Sequence, residues 1–235
     1  ERLSRVNGYE VSSEQIVVTV GGVQAVCASM LALLNPGDEV LIPDPAWPNY
    51  EMAILLQEGV PVHYPLHIQN EFVPTIADLE RLVTPRTKLL VVNSPSNPTG
   101  AVFGKDVLVQ LVEFARKHNI YLMADEVYDE MVFEGEHFSP ALCDPERTIS
   151  IYSFSKVYAM TGWRVGYLVA NREIAQTVAK VQEPQISCVS SVGQKAADAA
   201  LTGPQLCVQE MCDSFRERRD AVVELLKQRD AYMYT

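Results

Sequence analysis

The chain has 235 residues, of which 48% are hydrophobic, and a net charge of −11 from 19 basic and 30 acidic side chains. This length and apolar content allow a substantial buried core, in one domain or slightly more. The negative charge and the lack of any block of lysines or arginines argue against nucleic-acid binding.

The cysteines argue against a disulfide scaffold and against a zinc site. The five cysteines are odd in number, form no CxxC pair, and no histidine stands near Cys207 and Cys212. We therefore expect reduced thiols, no metal and a cytoplasmic protein. No apolar run approaches 18 residues, so the sequence predicts no membrane span. We expect both ends, Glu1 and Thr235, to be cuts in a longer chain.

Apolar runs rich in β-branched residues alternate with amphipathic stretches along the chain. This alternation predicts an α/β fold, a three-layer αβα sandwich with a mostly parallel sheet. Residues 1–10 are interpreted as the tail of a helix that ends at an Asn-Gly turn. Strands are predicted over 15–20, 39–43, 60–65, 87–93, 120–124, 148–152 and 165–170. Helices are predicted over 23–34, 46–57, 75–83, 104–118, 172–182, 189–201 and 204–228.

Lys156 lies just after a predicted strand, between hydroxyl groups and upstream of an arginine. Ser153 and Ser155 precede it, and Arg164 follows eight positions later. An amine that forms a Schiff base with a phosphorylated cofactor needs phosphate-binding groups close by, and pyridoxal phosphate fits this pattern. The alternative is a lysine in a polar strand-to-helix turn, because short motifs often match by chance.

Gly21 and Gly22 stand between the first predicted strand and the first long helix. The unpaired N–H groups and the dipole of a helix N-terminus favour an anion there. An ordinary tight turn explains paired glycines equally well, so both interpretations stay open.

Two other side chains follow predicted strands. Trp47, between two prolines, could stack on a planar ring or could cover the domain surface as part of a lid. Asp125 stands where open α/β sheets place ligand groups, but a helix N-cap or a loop hydrogen bond would also explain it. The two glycines, Asn97, Ser153 and Lys156 also follow the ends of predicted strands. These ends lie at one edge of a parallel sheet, so we expect all of these residues, with Trp47 and Asp125, at that edge.

Five motifs in register resemble the class I/II aminotransferases, which are fold-type-I enzymes that use pyridoxal phosphate. The chain is closest to the bacterial branch that includes aspartate aminotransferases, and order and spacing agree from about Asn7 to the end. The motifs are Thr19-Val-Gly-Gly-Val-Gln-Ala25, Pro45-Ala-Trp-Pro-Asn-Tyr50, Asn93-Ser-Pro-Ser-Asn-Pro-Thr-Gly100, Ala124-Asp-Glu-Val-Tyr128 and Ser153 through Gly166.

The resemblance implies a role for each of these positions. Lys156 would be the catalytic residue and hold the cofactor as a Schiff base, and Asp125 would pair with the pyridine nitrogen. Trp47 would stack on the ring, while Asn97 and Tyr128 would contact its phenolic oxygen. Trp47 and Asn97 would also contact the substrate. The phosphate would be held by the N–H groups of Gly22 and Val23, the hydroxyls of Ser153 and Ser155, and the Arg164 guanidinium.

The implied activity is ping-pong transamination between an amino acid and a 2-oxo acid. A carbon–sulfur β-lyase of the same fold and a non-catalytic ligand-sensing domain are the alternatives. Val23 departs from the dicarboxylate-specific members, which often have a lysine there that meets the distal carboxylate of the substrate. The resemblance therefore leaves aspartate specificity open.

The resemblance also implies how the chain is divided. Residues 1–14 would end a truncated N-terminal segment, 15–203 would form the cofactor-binding large domain, and 204–235 would lead to a C-terminal small domain. The arginine that binds the substrate α-carboxylate would lie in that small domain. Family members are homodimers with shared active sites, so a homodimer is expected, with residues 187–191 near the partner.

Overall fold

The computed structural model describes residues 1–229, and it is an α/β fold built on one mixed sheet. Residues 230–235, the end of the segment predicted over 204–235, lie outside this description. The strands are β1 Ile16–Thr19, β2 Glu39–Asp44, β3 Val60–Pro65, β4 Thr87–Asn93, β5 Tyr121–Asp125, β6 Thr148–Ser153 and β7 Gly166–Val169. The helices are α1 Arg2–Val6, α2 Gly21–Leu33, α3 Asn49–Leu55, α4 Ile76–Leu82, α5 Lys105–Lys117, α6 Phe154–Val157, α7 Arg172–Ile186, α8 Ser191–Thr202 and α9 Leu206–Lys227.

The seven strands lie in the order β1-β7-β6-β5-β4-β2-β3. Strands β2 to β6 pair in parallel, and β7 is antiparallel to both of its neighbours, β1 and β6. Strand β1 therefore points the same way as β6, so six of the seven described strands end at one edge. The predicted mostly parallel sheet is confirmed.

Helices cover both faces of the sheet, because strand side chains alternate between two cores. In β4, Leu89 and Val91 pack with α2, α3 and α7, whereas Leu90 and Val92 pack with α4 and α5. All four side chains are at most 1% exposed. This arrangement is the predicted three-layer αβα sandwich, whose central strands are buried on both faces.

The largest differences from the predicted elements are at helix ends. Helix α2 includes Gly21, where the prediction began at residue 23, because the glycine takes a φ of +76° that starts the first turn directly after β1. Helix α3 is shorter than predicted and begins only after Pro48. Helix α7 continues past residue 182 to Ile186 with Pro184 inside it. Among residues 1–229, no helix combines the length and apolar character needed to cross a bilayer.

Candidate active site

The loops at the shared strand edge enclose one cleft, with a cavity volume of about 190 Å³. Every residue that the sequence singled out as a site residue lines this cleft: Gly22, Val23, Trp47, Asn97, Asp125, Tyr128, Ser153, Ser155, Lys156 and Arg164. These residues come from the ends of β1, β2, β4, β5 and β6 and from the start of β7. The structure therefore brings together all the predicted site residues, while their individual roles stay predictions.

The reversed direction of β7 explains how Arg164 reaches the cleft. Gly166 pairs with Ser153 of β6 and with Thr19 of β1, so the start of β7 lies beside the ends of those strands. Arg164, two residues earlier, has a left-handed backbone conformation with a φ of 53°. Had β7 been parallel, its first residues would lie at the opposite edge of the sheet.

Lys156 belongs to the short helix α6, which follows β6 directly. The Ser153 hydroxyl caps this helix by accepting a 3.1 Å hydrogen bond from the Ser155 N–H. Lys156 is exposed toward the cleft, and its Nζ atom lies 5.7 Å from the centroid of the Tyr128 ring. An exposed amine over an aromatic face is accessible to a carbonyl compound that enters the cleft.

Asp125 is the buried carboxylate of the cleft, with 4% of its surface exposed. The Tyr50 hydroxyl donates a 2.5 Å hydrogen bond to its Oδ2 atom, and the Val127 N–H donates one of 3.4 Å to Oδ1. Burial raises the pKa of Asp125 to about 6, although both hydrogen bonds oppose the shift. A loop follows β5, so the helix N-cap interpretation of Asp125 is wrong, while the loop hydrogen bond exists.

Asn97 and Tyr128 lie together on the other side of the cleft. Burial and the Asp125 charge raise the pKa of the Tyr128 phenol, and the nearby Asn97 side chain lowers it less strongly. The Asn97 N–H donates a 2.7 Å bond to the Oδ1 atom of Asn93. Asn93 in turn donates a 3.1 Å bond to the Asp125 carbonyl, so one side chain ties the ends of β4 and β5 together.

A corner with the donor groups for an anion-binding site lies where helix α2 begins. The Arg164 guanidinium donates to the carbonyls of Thr161 (2.8 Å) and Val20 (3.4 Å) and lies 3.5 Å from the Ser155 hydroxyl. A Cβ atom on Gly21 would lie 2.6 Å from the Arg164 Nη2 atom. The glycine is therefore what allows the guanidinium to lie against the helix N-terminus, where N–H groups without intrahelical partners can also donate to an anion.

Trp47 closes one side of the cleft. Its ring is partly buried and packs against the core under helix α2. It makes an edge contact with Tyr50 at 5.3 Å between ring centroids and 86° between planes. The indole therefore has a fixed orientation and lines the cleft instead of covering the outer surface as a lid.

Four lining residues had no role in the sequence analysis: Tyr50, Asn93, Val127 and Thr161. Tyr50 and Asn93 lie within quoted motifs, but nothing in their spacing indicates that both bond to Asp125. Tyr50 stands three residues after Trp47, in the first turn of α3, so it reaches the same cleft. The contact joins residues that are 75 positions apart, and only the folded sheet brings them together.

Comparisons with known proteins agree with this geometry. A family model described as "Aminotransferase class I and II" matches residues 1–235. The chain is 40% identical over 227 residues to an aspartate/prephenate aminotransferase of Thermus thermophilus, covering 95% of this chain and 59% of the relative. The chain thus spans about three fifths of the length of that relative.

Solved structures give the same result. The structure of a Thermus thermophilus aspartate aminotransferase with maleate superimposes with a TM-score of 0.92 at 40% identity, over 97% of this chain and 60% of that one. An aromatic aminotransferase from Pyrococcus horikoshii gives 0.94 at 36% identity, over 97% and 62%. Given the family match over its full length and the shared fold, this chain belongs to the class I and II aminotransferase family.

Proposed function

We propose that the chain is the cofactor-binding part of an aminotransferase that uses pyridoxal phosphate. The enzyme moves an amino group from an amino acid to a 2-oxo acid by a ping-pong mechanism. The observation that supports this most directly is the convergence of an exposed amine, a buried carboxylate and an anion-binding corner in one cleft. These are Lys156, Asp125 and the corner formed by Arg164 and the start of α2.

The donor set fits pyridoxal phosphate at each of its functional groups. Arg164, the hydroxyls of Ser153 and Ser155 and the N–H groups of Gly22 and Val23 hold the phosphate. Guanidinium and hydroxyl groups form charge-assisted bonds to such an anion. Asp125 would pair with the ring nitrogen, Trp47 would stack on the ring, and Asn97 and Tyr128 would contact the phenolic oxygen. When bound, the cofactor supplies a conjugated ring that accepts electron density from the substrate Cα.

Lys156 has two tasks in this proposal. The Lys156 Nζ atom would hold a bound cofactor covalently through the carbonyl group of the cofactor. When not so engaged, Nζ would be the base that takes the proton from the substrate Cα and the acid that returns it. Asp125, shielded from water by burial and held by Tyr50, would keep the ring nitrogen of a bound cofactor protonated.

Substrate choice depends in part on Val23, whose side chain is 38% exposed and lines the cleft. An apolar side chain offers no charge to a distal carboxylate. We therefore propose that this position favours an uncharged substrate side chain over a second carboxylate. The relatives include both aspartate/prephenate and aromatic aminotransferases by name, so the family accommodates both kinds of substrate.

The proposed division of the chain follows the same resemblance. Residues 1–14 end an N-terminal segment, 15–203 form the cofactor-binding domain, and 204–235 lead to a small domain. We also propose that the protein works as a homodimer, with residues 187–191 near the partner.

The direct test uses the visible absorbance of lysine-bound pyridoxal phosphate in the full-length protein. The band is expected in the reconstituted wild type and in Lys180→Ala, an exposed lysine on α7, and is expected to be lost in Lys156→Ala. Amine transfer is then measured with a set of amino acids as donors and 2-oxoglutarate as the acceptor. A wild type without the band would contradict cofactor binding, and pyruvate release from cystathionine without amine transfer would contradict transamination.

A further inference from the structure

A buried ionic cluster lies behind Asp125, on the side of the sheet that faces away from the cleft. Its centre is Glu126, which is 2% exposed. The Glu126 carboxylate lies 2.8 Å from the His137 Nε2 atom and accepts hydrogen bonds from the hydroxyls of Ser139 (3.0 Å) and Tyr152 (3.1 Å). The His137 side chain is only 7% exposed. None of these four residues lines the cleft.

Further charged and titratable groups surround this pair. Arg2 bonds to both Asp129 oxygens (2.8 and 2.9 Å) and to Glu130 (2.7 Å), and the Tyr9 hydroxyl lies 2.6 Å from the Tyr152 hydroxyl. The cluster thus contains three carboxylates and one permanently charged cation. Because buried charges are costly unless they are paired, the proton on His137 decides whether the Glu126 charge is compensated.

The surroundings of His137 favour the imidazolium form. Burial lowers the pKa of His137, and the Arg2 charge also lowers it. The hydrogen bond and charge of Glu126 and the charge of Asp129 outweigh both, so the pKa is raised above its ordinary value. Its Nδ1 atom is buried without a hydrogen-bond partner in residues 1–229, so neither a donor that would favour the neutral ring nor an acceptor that would favour the imidazolium faces it there.

Glu126 is coupled to Asp125 through both the backbone and the electric field. Its N–H donates a 3.0 Å bond to the Ile151 carbonyl, and its own carbonyl accepts one of 3.1 Å from the Asp129 N–H. These bonds fix the turn that carries Asp125 and Tyr128. An uncompensated negative charge at Glu126 also opposes ionisation of Asp125, and it adds to the effect of burial on the pKa of Asp125.

We propose that Glu126 and His137 form a buried ion pair that positions the Asp125 turn and, by partly cancelling the Glu126 charge, keeps the Asp125 carboxylate ionised. The role of the ionised Asp125 carboxylate rests on the proposed function, because only an ionised carboxylate can keep the ring nitrogen of the cofactor protonated. Glu126 and His137 act through Asp125 and are positioning residues.

The test is the titration of the Asp125 carboxyl in the ligand-free full-length protein, followed by carbon-13 NMR. His137→Asn leaves the Glu126 charge uncompensated, so the Asp125 midpoint is expected to rise. Glu126→Gln removes the part of that charge that still raises the pKa of Asp125 in the wild type, so the midpoint is expected to fall. Each shift should be on the order of half a pH unit, or about threefold in the ionisation constant. Ser139→Ala is the matched control, since it removes a bond to Glu126 but no charge.

A merely structural role would move the Asp125 midpoint in the same direction in all three variants, and that result would overturn the proposal. No shift in either charge variant would also overturn it. If His137→Asn fails to fold, the imidazole of the wild type can be titrated directly by NMR. A ring that is still mostly protonated at pH 7.5, where an ordinary histidine with a pKa of about 6.5 is mostly neutral, supports the ion pair, and a neutral ring at that pH overturns it.

Cofactor binding is measured separately, so that the two proposals can fail independently. If the wild type binds pyridoxal phosphate, His137→Asn should weaken its affinity about threefold, in step with the Asp125 titration. If the Asp125 midpoint shifts in His137→Asn but the affinity for pyridoxal phosphate does not change, the ion pair does not support cofactor binding, and that part of the proposal is overturned. If the wild type binds none, the proposed function fails, while the carboxyl titration still decides the electrostatic claim.

Discussion

The Tyr50 hydroxyl and the Asp125 carboxylate are joined by a 2.5 Å hydrogen bond, which links the first turn of α3 to the end of β5. Both residues are buried, at 1% and 4% exposed. The tyrosine donates to a group that becomes charged, and such bonds are stronger than bonds between neutral partners. The ionisation of Asp125 and the position of Tyr50, which lines the cleft, therefore depend on each other.

Tyr50→Phe should weaken cofactor retention by about tenfold or more. The variant removes the donor to Asp125, and a hydrogen bond to a charged group contributes about 1.5–3 kcal/mol. Equilibrium binding of pyridoxal phosphate measures the effect. Tyr64→Phe is the matched control, because that buried hydroxyl donates to the neutral Val91 carbonyl instead. Equal losses in the two variants would contradict a specific role for Tyr50.

Asp125→Asn should stabilise the ligand-free protein at pH 8 and have little effect near pH 3.5. The folded state raises the pKa of Asp125 from 3.8 to about 6. Stability of the wild type therefore falls as pH rises from about 4 to about 6, and the deficit persists above that range. The Asp125→Asn substitution removes this loss in the free energy of unfolding, which is about 3 kcal/mol at most.

Chemical denaturation at both pH values measures this difference. Glu136→Gln, at an exposed carboxylate, serves as the control. If Asp125→Asn is less stable than the wild type at pH 8, burial of the ionised Asp125 carboxylate does not destabilise the ligand-free protein, and the prediction is wrong. The same variant should bind pyridoxal phosphate poorly, which separates stability from function at one residue.

Arg164→Lys should reduce the affinity for pyridoxal phosphate at least tenfold and leave the affinity for pyridoxal nearly unchanged. Lysine keeps the charge but loses the planar fork that matches a phosphate. Parallel titrations with the two ligands isolate the phosphate contribution. Arg172→Lys, on the exposed start of α7, is the control. A similar loss for both ligands would argue against phosphate binding by Arg164.

Gly21→Ala should destabilise the fold and weaken phosphate binding together. The backbone φ is +76°, and the new Cβ atom would lie 2.6 Å from Arg164 Nη2, so the guanidinium must move. Gly100→Ala is the control, since its φ of +75° is nearly the same but its surroundings are open. The control should show only the backbone cost, about 1 kcal/mol, with unchanged phosphate affinity.

The sequence allows most of the fold to be predicted because its strands are short, apolar and separated by turn residues. Strands β3 and β4 have the predicted bounds, since Pro65 and Asn93 end runs in which apolar residues predominate. Helix α7 differs because a proline normally ends a helix, and here the chain continues through Pro184. The direction of β7 is also not specified by the alternation of strands and helices.

The cleft was predictable as a set of strand ends, but the contacts that support it were not. Lys156, Asp125 and Arg164 stand at positions that motif spacing identifies. The bonds from Tyr50 to Asp125 and from His137 to Glu126 join side chains 75 and 11 positions apart, without a local pattern. Such contacts depend on how layers pack, which a single sequence does not specify.

The hairpin formed by β6 and β7 places Lys156 and Arg164 on one short connection. The sequence distance between the amine and the guanidinium is thus set by one hairpin, while the Val20 carbonyl holds the guanidinium at the start of α2. An insertion between the two residues would alter their spacing directly, whereas insertions in the outer helices would leave it intact. Natural variation in chain length should consequently be tolerated less between residues 156 and 164 than in the outer helices.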